Sequence, residues 1–309
     1  IAVPDLDLWL ARSLYAALSR NAQTVCQSAT LSQLSVSATG DALSYQWYSS
    51  ASSSNVGGSL ISGATSAIYT PSSATASTKY YYCVVTGACG TATSNASGAI
   101  VVNAIPSTPS ISAGSTTSLC PGEEVTLTSS ATSGNQWYKN GTALSVSTAT
   151  TLTTSESGAY TVISTVNGCA SSASSPTAVD MNTVTAITQQ PSASTQSGMS
   201  GSNLVVNATG TNLQFQWQVS TNSGSTWTNT TNTGVYTGST SSTLSLSSGI
   251  NSSYNGYQYR CVVSGTCSPS ITSGVGILTI NAAPATPGTI SGYASICANT
   301  NQSYSITPV

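Results

Sequence analysis

Short runs in which apolar and polar residues alternate recur along nearly the whole chain, broken by Gly, Ser, Asn and Pro. A period of two puts every second side chain on one face, which is the pattern of a half-buried β-strand. Three segments repeat one order of signals. An alternating strand comes first: Leu34, Val36 and Ala38; Val125 and Leu127; Leu204, Val206 and Ala208. A Gln-Trp strand follows, as Tyr45-Gln46-Trp47-Tyr48, Asn135-Gln136-Trp137-Tyr138 and Phe215-Gln216-Trp217-Gln218. Next is a Tyr strand, holding Tyr81-Tyr82-Cys83, Tyr160-Thr161-Val162 and Tyr259-Arg260-Cys261. A turn closes each segment: Gly87-Ala88-Cys89, Gly168-Cys169 and Gly265-Thr266-Cys267. Pro-rich stretches at Ile105-Pro106-Ser107-Thr108-Pro109, Gln190-Pro191 and Asn281-Ala282-Ala283-Pro284 punctuate the order.

Many short alternating strands with turn signals between them predict antiparallel two-sheet sandwiches. The fold class expected is therefore all-β, a tandem array of immunoglobulin-like domains at 23–104, 105–181 and 182–281, with a linker and the start of a fourth, incomplete domain at 282–309. Trp47, Trp137 and Trp217 fall where a strand-C Trp would plug such a core. Tyr81, Tyr160 and Tyr259 lie two residues before Cys83, Val162 and Cys261, the spacing of a tyrosine corner whose hydroxyl bonds backbone. Residues 1–22 break the pattern. Trp9, Leu10, Leu14, Tyr15 and Leu18 have helical spacing, with Asp5 and Asp7 early and Arg12 and Arg20 late, so a short N-terminal helix is expected there. Its apolar stripe needs a partner: either the helix is a remnant or anchor packed on the first domain, or Trp9 and Leu10 are an assembly contact.

Composition narrows the chemistry. The chain has no His, five Lys plus Arg, seven Asp plus Glu, a net charge of −2 and 39 % hydrophobic residues. Enough apolar surface exists for cores, while clustered cations for nucleic acid and an apolar run long enough to span a membrane as a helix are absent. The acids Asp5, Asp7, Asp41, Glu123, Glu124, Glu156 and Asp180 form no catalytic pair, and serines without a His or a Gly-x-Ser-x-Gly elbow lack an activating base. We expect no enzyme activity, no cofactor and no metal site, since calcium-stiffened junctions need several carboxylates each. Sequons at Asn95, Asn140, Asn207, Asn229, Asn251 and Asn301 would be sugar acceptors in a eukaryote, and in so Ser/Thr/Asn-rich a chain many arise by chance.

Eight cysteines without His point to disulfides in an oxidising compartment rather than to zinc. The chain starts at Ile1, as expected of a processed protein or a fragment of a longer one. Pairing by nearest available partner gives Cys120–Cys169, the only two cysteines of the second domain. It gives Cys261–Cys267 across a hairpin in the third. In the first domain either Cys26–Cys89 or Cys83–Cys89 forms, leaving one thiol over, and Cys297 looks to a partner past the end of the chain.

The Tyr-Gln-Trp strand, Gly63-Ala64-Thr65-Ser66-Ala67-Ile68-Tyr69-Thr70, the run Tyr259 to Cys267 and the run Tyr304 to Val309 resemble the tandem immunoglobulin-like and polycystic-kidney-disease-like repeats of very large Bacteroidota surface proteins. The resemblance covers about residues 23 to 309. It implies export, often through the type IX system, and roles in adhesion, gliding or surface filaments. Three functions are therefore expected in order: an extracellular stalk or surface-filament subunit, an adhesin that binds glycans or neighbouring surfaces, and a spacer of a large secreted hydrolase. The partners are self-association or other surface proteins. Trp227, Tyr236 and Tyr69 are candidate exposed rings for stacking on sugars.

Overall fold

The computed structural model describes residues 14–19, 21–88, 90–145, 147–192, 194–197, 201–281, 288–291, 298, 301 and 303–306. They fall into two units. One holds the described residues up to Ser115 with Val125–Thr154 and Gly158–Ala178; the other holds Thr116–Glu124, Ser155–Ser157 and those from Val179 onward.

In the first unit, the described residues of the N-terminal module form nine strands: β1 (Tyr15–Leu18), β2 (Gln23–Cys26), β3 (Leu34–Thr39), β4 (Ser44–Ser50), β5 (Ser59–Leu60), β6 (Ile68–Tyr69), β7 (Ser77–Gly87), β8 (Gly90–Thr93) and β9 (Ile100–Asn103). One sheet runs β1-β3-β6 and the other β2-β9-β7-β4-β5, with β8 on β7. Strand β2 runs parallel to β9, with Cys26 opposite Asn103. This is the two-layer arrangement of an immunoglobulin-like sandwich, with Leu34, Val36, Trp47, Val85, Ile100 and Val102 in the seam.

The second module follows the same plan with β10 (Ile111–Ala113), β11 (Ser118–Leu119), β12 (Val125–Ser129), β13 (Asn135–Lys139), β14 (Thr142–Ala143), β15 (Thr151–Thr154), β16 (Gly158–Val166), β17 (Cys169–Ala170) and β18 (Thr177–Met181). Within the first unit β12 pairs with β10 and β15, and β13 with β14 and β16. Within the second, β11 is parallel to β18, with Leu119 opposite Met181.

The third module comprises β19 (Ala186–Gln189), β20 (Ser194–Ser197), β21 (Ser202–Val205), β22 (Asn207–Thr209), β23 (Gln214–Ser220), β24 (Thr228–Asn229), β25 (Tyr236–Thr237), β26 (Thr243–Leu246), β27 (Gln258–Ser264), β28 (Ile271–Thr272) and β29 (Gly276–Asn281). Its larger sheet runs β20-β29-β27-β23-β24. Beyond it, Ile290–Ser291 pairs antiparallel with Ser305–Ile306.

The expected N-terminal helix is not formed where the chain is described. Tyr15–Leu18 is a strand, paired antiparallel with β3 so that Leu18 faces Val36, and the first module begins here rather than at residue 23. Tertiary pairing overrides the helical spacing because Ala16 and Leu18 are buried while Tyr15 is 63 % exposed, a period of two. Two fixings add to this. Asn95 grips the strand at both backbone atoms of Leu18, accepting from its N at 3.0 Å and donating to its O at 3.3 Å. Leu14 lies against Gly40 and Gly87, where an added Cβ would come within 3.0 and 3.4 Å of its Cδ1. Trp9 and Leu10 lie outside the described residues.

Candidate functional site

The Gln-Trp dipeptide makes the same bonds in all three modules. Each Trp is fully buried and its indole N–H donates across the sandwich: Trp47 to Ser66 O at 2.7 Å, Trp137 to Ala149 O at 2.9 Å, Trp217 to Ser241 O at 2.9 Å. The preceding Gln donates to the next chain segment, Gln46 to Ile61 O, Gln136 to Leu144 O and Gln216 to Thr230 O, at 2.8, 2.8 and 3.1 Å. A buried Trp therefore costs no unsatisfied donor, and the strand that carries it is tied on both sides.

Directly across the sheet from these Trp residues stand Cys83, Val162 and Cys261. Each of their amides donates to a buried serine hydroxyl, Ser94 at 3.0 Å, Ser174 at 3.1 Å and Ser273 at 2.8 Å. The serine amide returns a bond to the same residue's carbonyl at 2.9, 3.0 and 2.8 Å. These clasps join the Tyr strand to the segment after its hairpin. Sequence reasoning missed them because Ser is so common here; their one signal is a near-constant offset after Cys83, Val162 and Cys261.

Two of the three tyrosine hydroxyls lie against other hydroxyls. Tyr160 Oη lies 2.8 Å from Thr154 Oγ1 and Tyr259 Oη 3.4 Å from Tyr236 Oη, while Tyr81 packs on Tyr69. Burial pushes Tyr81 up to about 12, with the neighbouring Tyr69 adding to it. The three rings considered for sugar stacking are engaged within the chain: Tyr69 against Trp47 at 5.5 Å, Tyr236 edge-on to Tyr259 at 6.1 Å, and Trp227 beneath the Arg260 guanidinium at 4.2 Å.

The cysteines depart most from nearest-partner pairing. Cys26 is bonded to Cys169, 143 residues on, and Cys120 to Cys267, 147 residues on, each with Cα atoms 5.6 Å apart. Cys120–Cys169, Cys26–Cys89 and Cys261–Cys267 are therefore not formed. Cys83 and Cys261 are free and buried, which also removes Cys83–Cys89. Burial raises both thiols to about 11, the backbone beside Gln46 and Gln216 opposing only in part. The reason for the partner exchange is geometric. A cysteine at the end of the strand parallel to β9 or β18 sits at the module's rim, whereas Cys83 and Cys261 sit in the core facing Trp.

Each staple joins the strand-end cysteine of one module to the hairpin cysteine of the next, and polar bonds surround both. In the first unit, Asn167 and Gly168 take φ of 50° and 79°, the left-handed pair that an Asn-Gly hairpin turn requires, and Cys169 follows directly. Asn103, opposite Cys26, donates from Nδ2 to Asn167 O at 3.0 Å. In the second unit Asn182 binds β11, from N to Leu119 O and from Nδ2 to Ser118 Oγ, both at 2.8 Å. The following residues bind the third module: Thr183 N donates to Thr211 Oγ1 at 2.9 Å and Thr185 Oγ1 to Cys267 O at 3.2 Å. Gly210 and Gly265 clear the space for Thr185, since a Cβ on Gly265 would come within 2.5 Å of its Oγ1. The register places Ser197 opposite Asn281, so the third module carries Ser where the first two carry the staple cysteine.

Glu123 accepts from Cys120 N at 2.8 Å and so serves the turn into β12. Among the described residues no three His, Cys, Asp or Glu cluster as metal ligands, and no helix is long and apolar enough to cross a membrane.

The sheets, the buried Trp and the repeated bonds define a tandem array of immunoglobulin-like β-sandwich modules with two disulfides among the described residues. Residues 16–104 match the family model of a domain of unknown function, DUF8696, whose start coincides with β1. No curated protein sequence matches the chain. Among solved structures it is similar to the I-band fragment I67–I69 of titin (14 % identity over 87 % of this chain and 99 % of that one, TM-score 0.43). It is also similar to three N-terminal domains of the bacteriophage RB49 Highly Immunogenic Outer Capsid protein, Hoc (12 %, 81 % and 94 %, TM-score 0.42), and to extracellular domains 3–5 of Drosophila OTK (13 %, 84 % and 94 %, TM-score 0.36).

Proposed function

We propose that this chain is a length of extracellular structural stalk or surface filament, of the kind its resemblance to Bacteroidota surface repeats implies, and that it works as a mechanical spacer and not as an enzyme. The observation that carries the reading is the staple from each module to the next. A disulfide within a module stabilises that module, whereas one between modules adds a second covalent tie beside the peptide linker and opposes hinging. Disulfides persist in oxidising, extracytoplasmic surroundings. In the chain-entropy picture, closing a loop of 143 residues is worth about 5 kcal/mol against the unfolded state. A surface with few charges stays hydrated without ion pairs, which suits exposure to changing salt. The adhesin reading has less support, because Trp227, Tyr236 and Tyr69 are spent on internal contacts.

The test is immunogold labelling of intact producing cells, with non-reducing peptide mapping of the protein recovered from them. Surface label along thin stalks or fibres together with the Cys26–Cys169 and Cys120–Cys267 peptides is the expected result. A reduced protein retained inside the cell would overturn the proposal.

A further inference from the structure

The two disulfides overlap in sequence: Cys120 lies inside the loop closed by Cys26–Cys169, and Cys169 lies inside the loop closed by Cys120–Cys267. We infer that this interlocked pair is an extension lock that caps how far the chain between Cys26 and Cys267 can be drawn out and, between those two cysteines, routes tension through the middle module alone. The use of such a lock rests on the mechanical-spacer reading, but the cap follows from covalent connectivity and is measured on the isolated chain. Its failure is therefore distinguishable from failure of the surface assignment.

Consider the chain pulled from both ends, so that tension enters at Cys26 and leaves at Cys267. Four covalent routes connect these points. The shortest crosses the first disulfide to Cys169, runs backward along the middle module to Cys120 and crosses the second disulfide to Cys267. It contains about 50 residues, which at about 3.5 Å each extend to roughly 170 Å. A route along the first module's backbone from Cys26 to Cys120, or along the third module's from Cys169 to Cys267, holds about 95 residues and reaches roughly 330 Å. These longer routes stay slack when the short one is taut. Only the segment that includes β12 to β16, with Trp137 at its centre, can be drawn straight. The stretches from Cys26 to Cys120 and from Cys169 to Cys267 are shielded even if they open transiently, because neither can be pulled out into extended chain, whereas β1, ahead of Cys26, and β28 and β29, after Cys267, stay outside the lock.

Overlap is what produces this. Pairing inside each module, as Cys26–Cys89, Cys120–Cys169 and Cys261–Cys267, would leave about 120 residues between Cys26 and Cys267 free to extend, roughly 430 Å. With no disulfide about 240 residues are free, roughly 840 Å.

The experiment is single-molecule force spectroscopy on the full chain held by cysteine-free handles at its two ends, so that the residues outside Cys26 and Cys267 contribute equally in every case. The unreduced chain should reach its final contour with about 170 Å between the two cysteines, against about 330 Å for Cys26→Ala/Cys169→Ala or Cys120→Ala/Cys267→Ala and about 840 Å with a phosphine reductant present. A graded series of about one, two and five supports the lock. A final length near 430 Å in the unreduced chain, or separate full-module unfolding steps from all three modules, would overturn it. Should a variant fail to fold, the comparison of unreduced and reduced wild-type chain still decides.

Discussion

Ser94→Ala removes one hydroxyl from a chain rich in them, and the structure assigns it a cost far above that of an exposed serine such as Ser72. Ser94 is fully buried, and its Oγ accepts from Cys83 N at 3.0 Å while donating to Asn95 O at 2.9 Å. Cys83 is itself fully buried opposite Trp47, so its amide has no route to water once the hydroxyl is gone. Leaving a buried backbone donor unpaired costs about 1–3 kcal/mol. The return bond from Ser94 N to Cys83 O survives the change, so we expect about 2 kcal/mol, roughly a 30-fold rise in local opening. Hydrogen exchange read by mass spectrometry on peptides that contain Cys83 would show that rise. Ser72→Ala, on an exposed loop, should leave exchange unchanged, and Ser94→Thr, which keeps an oxygen, should recover part of the protection. The clasp reading is refuted if Ser94→Ala exchanges within a factor of two of wild type at Cys83.

Four further outcomes follow from the buried thiols and the Thr185 contact. Cys83 and Cys261 should resist alkylation in the folded chain and react fully after denaturation, as counted by intact mass. Their folded thiols lose protons near pH 11 but the unfolded ones near 9, so stability is complete below pH 9 and falls by about 2–3 kcal/mol per thiol as pH rises to 11. The second module, with Val162 in that place, lacks this loss, and exchange at high pH would separate the modules. Cys83→Val and Cys261→Val should each change stability by less than about 1.5 kcal/mol in denaturant titrations, since Val162 already fills the equivalent place. Gly265→Ala should push Thr185 off the third module and raise exchange in peptides spanning Thr183 and Thr185, while Gly141→Ala, with open space at its Cβ, should disturb only its own turn.

What the sequence made legible is what repeats locally. The Gln-Trp strand is readable because a large ring needs one seam and one donor contact wherever it sits, and period-two alternation shows which face meets it. The N-terminal strand was hidden because Leu14, Tyr15 and Leu18 satisfy a helical stripe equally well. The edge of β3 and the Asn95 side chain, which decide between the two, lie far along the chain. The serine clasps were hidden by composition: in so Ser-rich a sequence, the near-constant offset that marks Ser94, Ser174 and Ser273 does not stand out from the other serines, buried or exposed.

The disulfides show the limit most sharply. Nearest-partner pairing assumes that a module closes on itself, and its entropic logic is sound for a single domain. In a tandem array the competing principle is position. Cys26, opposite Asn103, and Cys120, beside the Leu119 that Asn182 binds, sit at strand ends at the rim that meets the next module, and Cys169 and Cys267 sit at hairpins that reach back to that rim. Repeat register therefore sorts the cysteines into three kinds: rim, hairpin and core. A rim cysteine has a hairpin cysteine one module on as its neighbour, and a core cysteine stands across the sheet from Trp. The recurring Asn at the end of the last strand of each module, Asn103, Asn182 and Asn281, is the sequence mark of the rim. Read with it, the same spacing that suggested closed modules describes a chain whose covalent ties run forward from one module to the next.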